Sequence, residues 1–197
     1  MSGPLVFTGL VLRSWSGTIS LFSQQEGRIE RNWYRVGHRA QLHRGSFISY
    51  THQEGFSCNQ RMLVNVELER CGTVWAVQDI YFFHALLEVC YYFIPIGSEA
   101  QQAYSFLVDL LNNFHVFSLS GHKKMVLCKF FTLVGIYPDD LQVQHLATSL
   151  LKMPIDNLVN TILELNSEEL MNQWLSWCIE VHPKGKFFKA IPFLLEK

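Results

Sequence analysis

No lysine precedes Lys123 and no arginine follows Arg70, so the eight arginines and eight lysines of this 197-residue chain occupy separate halves. Cysteine is scarce: Cys58, Cys71, Cys90, Cys128 and Cys178 are odd in number, widely spaced and mostly flanked by apolar residues. That pattern excludes a disulfide framework and fits reduced thiols. No Cys-x-x-Cys pair is present, so a structural zinc site is not expected. Catalytic motifs are missing as well. There is no Gly-x-Gly-x-x-Gly, no phosphate loop, no Gly-x-Ser-x-Gly and no His-Glu-x-x-His. Lys184-Gly185-Lys186 lacks the earlier glycine and the following Ser or Thr of a phosphate loop. The Asp139-Asp140 pair after Pro138 reads as a helix start rather than a catalytic carboxylate pair. The chain is therefore expected to be a non-enzyme without catalytic residues, cofactor or metal.

Long apolar runs are also missing. The most apolar segment, Ile80 to Ile96, carries His84 and Glu88 and reads as a buried helix rather than a membrane span. The opening apolar stretch has no positively charged leader and is interrupted by Thr8 and Gly9, unlike a secretory signal. A soluble, cytoplasmic protein is expected.

What is present is enough apolar sequence for a core, 49% of the chain, and two kinds of periodicity. Up to about residue 78, short β runs alternate with turn residues: Leu5 to Leu12, Thr18 to Phe22, Arg28 to Val36, Ser46 to Thr51, Arg61 to Arg70 and Thr73 to Gln78. In Arg61 to Arg70, alternation predicts Met62, Val64, Val66 and Leu68 on a buried face. So many short strands imply a small closed barrel, because closure removes exposed edges. Beyond Asp79 the period becomes helical. Ser98 to Gln101 reads as a capping box, followed by Ala103, Phe106, Leu107, Leu110, Phe114 and Phe117 at helical spacing, with a loop around Ser118 to Gly121 ending that element. Further helices are predicted at His122 to Val134, Leu141 to Leu151, Ile155 to Leu165 and Ser167 to Val181. The fold class is α+β: a β-barrel over residues 1–78 and a closely docked helical bundle over 79–197.

Two features carry candidate chemistry. Arg28, Arg31, Arg35, Arg39 and Arg44 crowd a stretch holding a single acid, Glu30. In a strand through Arg28 to Val36, Ile29, Arg31, Trp33 and Arg35 share a face, so two guanidinium groups flank an indole. Guanidinium neutralises phosphate, and an exposed ring stacks on any base for about 1 to 3 kcal/mol. The competing arrangement turns Trp33 into the barrel. The second feature is the segment with Lys123, Lys124 and Lys129 among Val126, Leu127, Phe130 and Phe131, which predicts an apolar groove rimmed by lysine or an ordinary amphipathic helix.

Lys124 to Pro138, KMVLCKFFTLVGIYP, resembles a helix of the RecO recombination mediators. The tail Gly185-Lys186-Phe187-Phe188-Lys189 is similar to that family's closing Gly-Lys-x-Leu-Lys segment. Leu10-Val11-Leu12-Arg13, Trp15-Ser16-Gly17-Thr18 and Glu26-Gly27-Arg28 look like its opening. The matches run in the family's order along nearly the whole chain. The resemblance implies an OB-fold barrel followed by a helical domain. It also implies a role in DNA repair and recombination: binding and annealing single- and double-stranded DNA, contacting the acidic C-terminal tail of single-stranded DNA-binding protein, joining RecR and helping to load RecA. Lys124 and Lys129 are carried over as tail contacts. The nucleic-acid face comprises Arg28, Arg31, Trp33, Arg35, Arg39 and Arg44. Val143 stands where many members begin their zinc cysteines, so this is a zinc-free variant.

Overall fold

The structure, a computed structural model, describes residues 5–33, 42–54, 61–117, 119–161 and 165–195, with the backbone alone at Glu54, Val159, Leu165 and Asn166. Five strands come first: β1 (Phe7–Trp15), β2 (Thr18–Ser23), β3 (Gly27–Trp33), β4 (Phe47–Glu54) and β5 (Arg61–Arg70). They close in the order β1-β2-β3-β5-β4, with β3 and β5 parallel and every other pair antiparallel. This is the connectivity of an OB-fold barrel. Val11, Ile19, Leu21, Ile29, Ile48, Tyr50 and Leu63 fill its interior.

The helices are α1 (Thr73–Ala76), α2 (Ile80–Phe93), α3 (Gln101–Asn112), α4 (Ser120–Leu133), α5 (Leu141–Lys152), α6 (Ile155–Asn160), α7 (Leu165–Val181) and α8 (Ala190–Leu195), with 3-10 turns at Phe114–Val116 and Gly185–Phe187. None of the described helices is long and apolar enough to cross a membrane. The expected α+β order of barrel then bundle is observed. Asp140 starts α5 as expected, its carboxylate accepting from the N–H groups of Gln142 and Val143. The thiols of Cys90, Cys128 and Cys178 are core groups, and burial pushes all three up, Cys178 to about 12. Cys58 lies outside the described residues.

Three local expectations are corrected. Thr73 to Gln78, rich in β-branched residues, is not a strand but contains α1. Burial of Trp75, whose indole N–H donates to the Leu111 carbonyl at 2.7 Å, outweighs local propensity. The capping box at Ser98 does not form: α3 begins at Gln101 after Ala100, with no side-chain cap. In β5 the buried residue is Leu63, not Met62 or Val64. Between the pairs Ser49–Glu67 and Thr51–Val64, β5 holds one extra residue, and Asn65 has φ 52°. A bulge of this kind shifts the alternation by one, so only Val66 of the expected face packs on the barrel core, and Leu68 is exposed.

The two parts share apolar surface. Along β1, Val11 points into the barrel, whereas Leu10 and Leu12 join Phe22 in the bundle core. A strand buried on both faces needs a continuous apolar run, which Leu10-Val11-Leu12 supplies. At the next contact the Gly97 N–H donates to the Arg28 carbonyl at 2.7 Å, and Gly27 lies against Ser98. Gly27 has φ +65°, and a Cβ there would lie 1.7 Å from the Ser98 carbonyl oxygen. Gly17 has φ +79° with open space around it. Gly17→Ala should therefore cost only the backbone strain, about 1 to 2 kcal/mol. Gly27→Ala adds a backbone collision, and its melting temperature should fall below that of Gly17→Ala by at least about 4 °C. Equal melting temperatures for the two variants would show that barrel and bundle are not pressed together at Gly27.

Candidate nucleic-acid interface

The arginine cluster does not form one exposed track. Arg28 is 8% exposed. Its guanidinium donates to the Ile94 carbonyl at 3.0 Å, pairs with Glu30 at 2.8 Å and lies 4.5 Å from the Tyr91 ring centroid. It ties the barrel to α2 and is not open to a ligand. Ile29, Arg31 and Trp33 do share a side of β3, but Ile29 is in the barrel core, and Trp33 is half-buried against it. The Trp33 indole N–H and the Arg31 Nε are enclosed without a partner among the described residues, and Arg31 Nη1 donates to the Glu30 carbonyl. The expected open indole flanked by guanidinium groups is thus corrected: period two sends Trp33 the same way as Ile29. Arg35 and Arg39 lie outside the described residues. Among the described arginines of the cluster, Arg44 alone is well exposed, held by its Nε donating to the Leu12 carbonyl at 3.1 Å.

The two lysines expected to contact a peptide tail are corrected as well. Helix α4 is buried on nearly every side, because α2, α3, α5, α6 and α7 all pack on it. Lys124 is 2% exposed and donates to the Glu168 carboxylate on α7 at 2.8 Å. Lys129 is 6% exposed, and its ammonium meets the Leu150 carbonyl at 2.7 Å together with those of Leu151 and Met153. It therefore caps the C-terminal end of α5, where carbonyls lack helical partners and the helix dipole favours a cation. Both charges stabilise the bundle and rim no groove.

Four free cations gather elsewhere. A cavity of about 540 Å³ opens at the junction of barrel and bundle. Arg13 and Arg44 come from the barrel side, Glu88, Tyr91 and Tyr92 from α2, and Lys184, Phe187 and Lys189 from the closing segment. Arg13, Arg44, Lys184 and Lys189 are exposed, and none forms an ion pair among the described residues. Arg13 donates to the Tyr91 hydroxyl at 3.4 Å and lies 5.4 Å from the Trp15 ring centroid. Phe187 is 50% exposed. Gly185 turns the closing segment inward, so tightly that a Cβ would fall 2.0 Å from the Ile179 carbonyl oxygen.

Glu88 explains how four cations come to face one buried carboxylate. Its oxygens accept from the Lys189 N–H at 3.1 and 3.2 Å and from the Ala190 N–H at 3.0 Å, at the start of α8. The carboxyl oxygens hold the closing segment in place through backbone N–H groups. The lysine side chains there stay free. Sequence reasoning did not single out Glu88, Tyr91 and Tyr92. Arg13 and Lys189 stood within the two end segments that carried the family resemblance, and the fold brings those ends to one cavity. Among the described residues no group of three or more His, Cys, Asp or Glu is gathered as a metal site. No family model matches the chain, and no curated protein matches it.

Two outcomes follow. Lys129→Ala leaves the α5 carbonyls without their cation and opens a void, so stability should drop by about 2 to 4 kcal/mol in a denaturant melt. A wild-type midpoint would remove Lys129 from that structural role. Burial pushes the Glu88 carboxyl above its ordinary 4.5, against the pull of the Lys189 and Ala190 N–H groups and Arg44. The native state then keeps a proton that the unfolded state releases. This contribution to stability is complete below pH 4.5 and lost as pH rises through the native value. Glu88→Gln cannot titrate, so its stability relative to wild type should rise from about pH 4 to about pH 7. A pH-independent difference between the two melts would contradict this.

Proposed function

We propose that this chain is a DNA repair and recombination mediator of the RecO kind, one that binds and anneals DNA and makes or breaks no bond. The observation that carries the reading is the convergence of Arg13, Arg44, Lys184 and Lys189, none in an ion pair among the described residues, on one cavity that also presents aromatic rings. Fixed cations neutralise phosphate, and rings accept bases, so a strand is held by charge and stacking together. The OB-type barrel followed by a helical bundle agrees with the architecture that the RecO resemblance implies. The overall charge of −1 hides this local field, which depends on where charges sit rather than on their sum. In this proposal the chain works in the cytoplasm, joins RecR, meets the acidic tail of single-stranded DNA-binding protein and helps load RecA. The tail would dock away from Lys124 and Lys129, whose ammonium groups are already paired.

A second reading, a protein-interaction scaffold of the same fold with little DNA affinity, is favoured by exposed apolar residues near the start of α2 and on α8: Val77, Ile80 and Phe193, the last stacked on Tyr81. Anisotropy of a labelled oligonucleotide across a salt series separates the two. The mediator reading expects binding that weakens steeply with salt. Arg13→Ala with Lys189→Ala should reduce the slope of log K against log salt by about 1.4, or about 0.7 for each lost single-strand phosphate contact. An unchanged slope in a folded double variant would move the interface away from this cavity. No binding at low salt would leave the scaffold.

A further inference from the structure

Resting on the nucleic-acid reading, we infer that the junction cavity is a receptacle for one unstacked nucleotide, which makes a single strand the ligand in preference to a duplex. Three observations carry this. The volume, about 540 Å³, is within the range of small-molecule pockets. Polarity is also graded with depth. The four cations are exposed, whereas the carboxylate of Glu88 is 7% exposed and lies inside. The Glu88 oxygens already accept from backbone N–H groups and offer phosphate no donor, so phosphate stays among the cations at the mouth and the part of a nucleotide that enters is the neutral base.

The third observation is the ring available to receive that base. Tyr91 is flanked by Arg13 and Arg28, at 5.6 and 4.5 Å from its centroid, and Tyr92 packs edge-on against Tyr91 and Phe188. Phe187, half exposed at the mouth with the Lys186 ammonium 5.3 Å from its ring centroid, stacks on no ring among the described residues and is the free stacking surface. Base-paired nucleotides keep their faces inside the stack. A duplex reaches the cations with its phosphates alone unless a base is extruded, which costs a few kcal/mol.

The test compares three labelled ligands at one salt concentration: a single-stranded oligonucleotide, the same strand with abasic sites throughout, and the blunt duplex. Each is titrated with wild type and Phe187→Ala. The intact strand should bind on the order of 10-fold tighter than the abasic strand or the duplex, the scale of one base stack. Phe187→Ala should bring the intact strand toward the abasic affinity and leave the abasic affinity unchanged. Equal binding of all three ligands to wild type would overturn the receptacle and leave DNA binding standing, and so would an equal loss for all three in the variant. No binding of any ligand at low salt would overturn the nucleic-acid reading too. A nucleoside monophosphate serves as competitor. Displacement of the strand at equal nucleotide concentration would assign the cavity to free nucleotides and overturn the single-strand assignment, and failure to displace supports it.

Discussion

Everything in this molecule depends on β1 being buried on both of its faces. Val11 lies inside the barrel, while Leu10 and Leu12, with Phe22 from β2, pack into the same core as α2, α3 and α4. Barrel and bundle are thus two sides of one hydrophobic unit. Their contact is reinforced where polar groups would otherwise be stranded: the Arg28 carbonyl accepts from Gly97, its guanidinium donates to Ile94, and the Tyr104 ring meets Phe22 edge-on.

That seam also sorts the charges. A buried cation must find oxygen partners, since removing it from water without them costs several kcal/mol. Lys124 and Lys129 meet this condition through groups of distant segments, and Arg28 through the distant Ile94 carbonyl and the neighbouring Glu30 carboxylate. Glu88 meets it in the opposite sense, with backbone N–H groups at the start of α8. Arg13, Arg44, Lys184 and Lys189 are the cations beside the junction that the fold leaves exposed, and they face one opening. The candidate interface is one group of the charges that remain once structural charges have been matched.

Most of the fold was legible because periodicity is local. Alternating residues produce strands, and apolar residues three or four apart produce α4, α5 and α7 at nearly the expected bounds, whereas α3 stops at Asn112 and the expected stripe continues in the 3-10 turn Phe114–Val116. Departures occur where a distant contact overrode a local preference. The β-branched residues around Trp75 became α1 because the indole is anchored by Leu111, and β5 lost its simple alternation at Asn65. The candidate site was far less legible. Arg28, Arg31 and Trp33 are adjacent in sequence with the right chemistry, yet two of them face inward or into the seam. Lys124 and Lys129 fit an exposed rim equally well on paper, and α4 turned out to be the central helix.

The sequence by itself determined the order of elements, the closed character of the barrel and the burial of three thiols, because these follow from residue spacing and from apolar runs too regular to leave in water. Only the tertiary structure decided which charges are available. The long side chains of arginine and lysine reach carbonyls and carboxylates far away in the chain: Lys129 reaches the end of α5, Lys124 reaches Glu168, and Arg28 reaches Ile94. The same closure brings Arg13 near the beginning and Lys189 near the end to one cavity. Spacing along a chain carries no record of such meetings, because they are set by how the apolar faces pack.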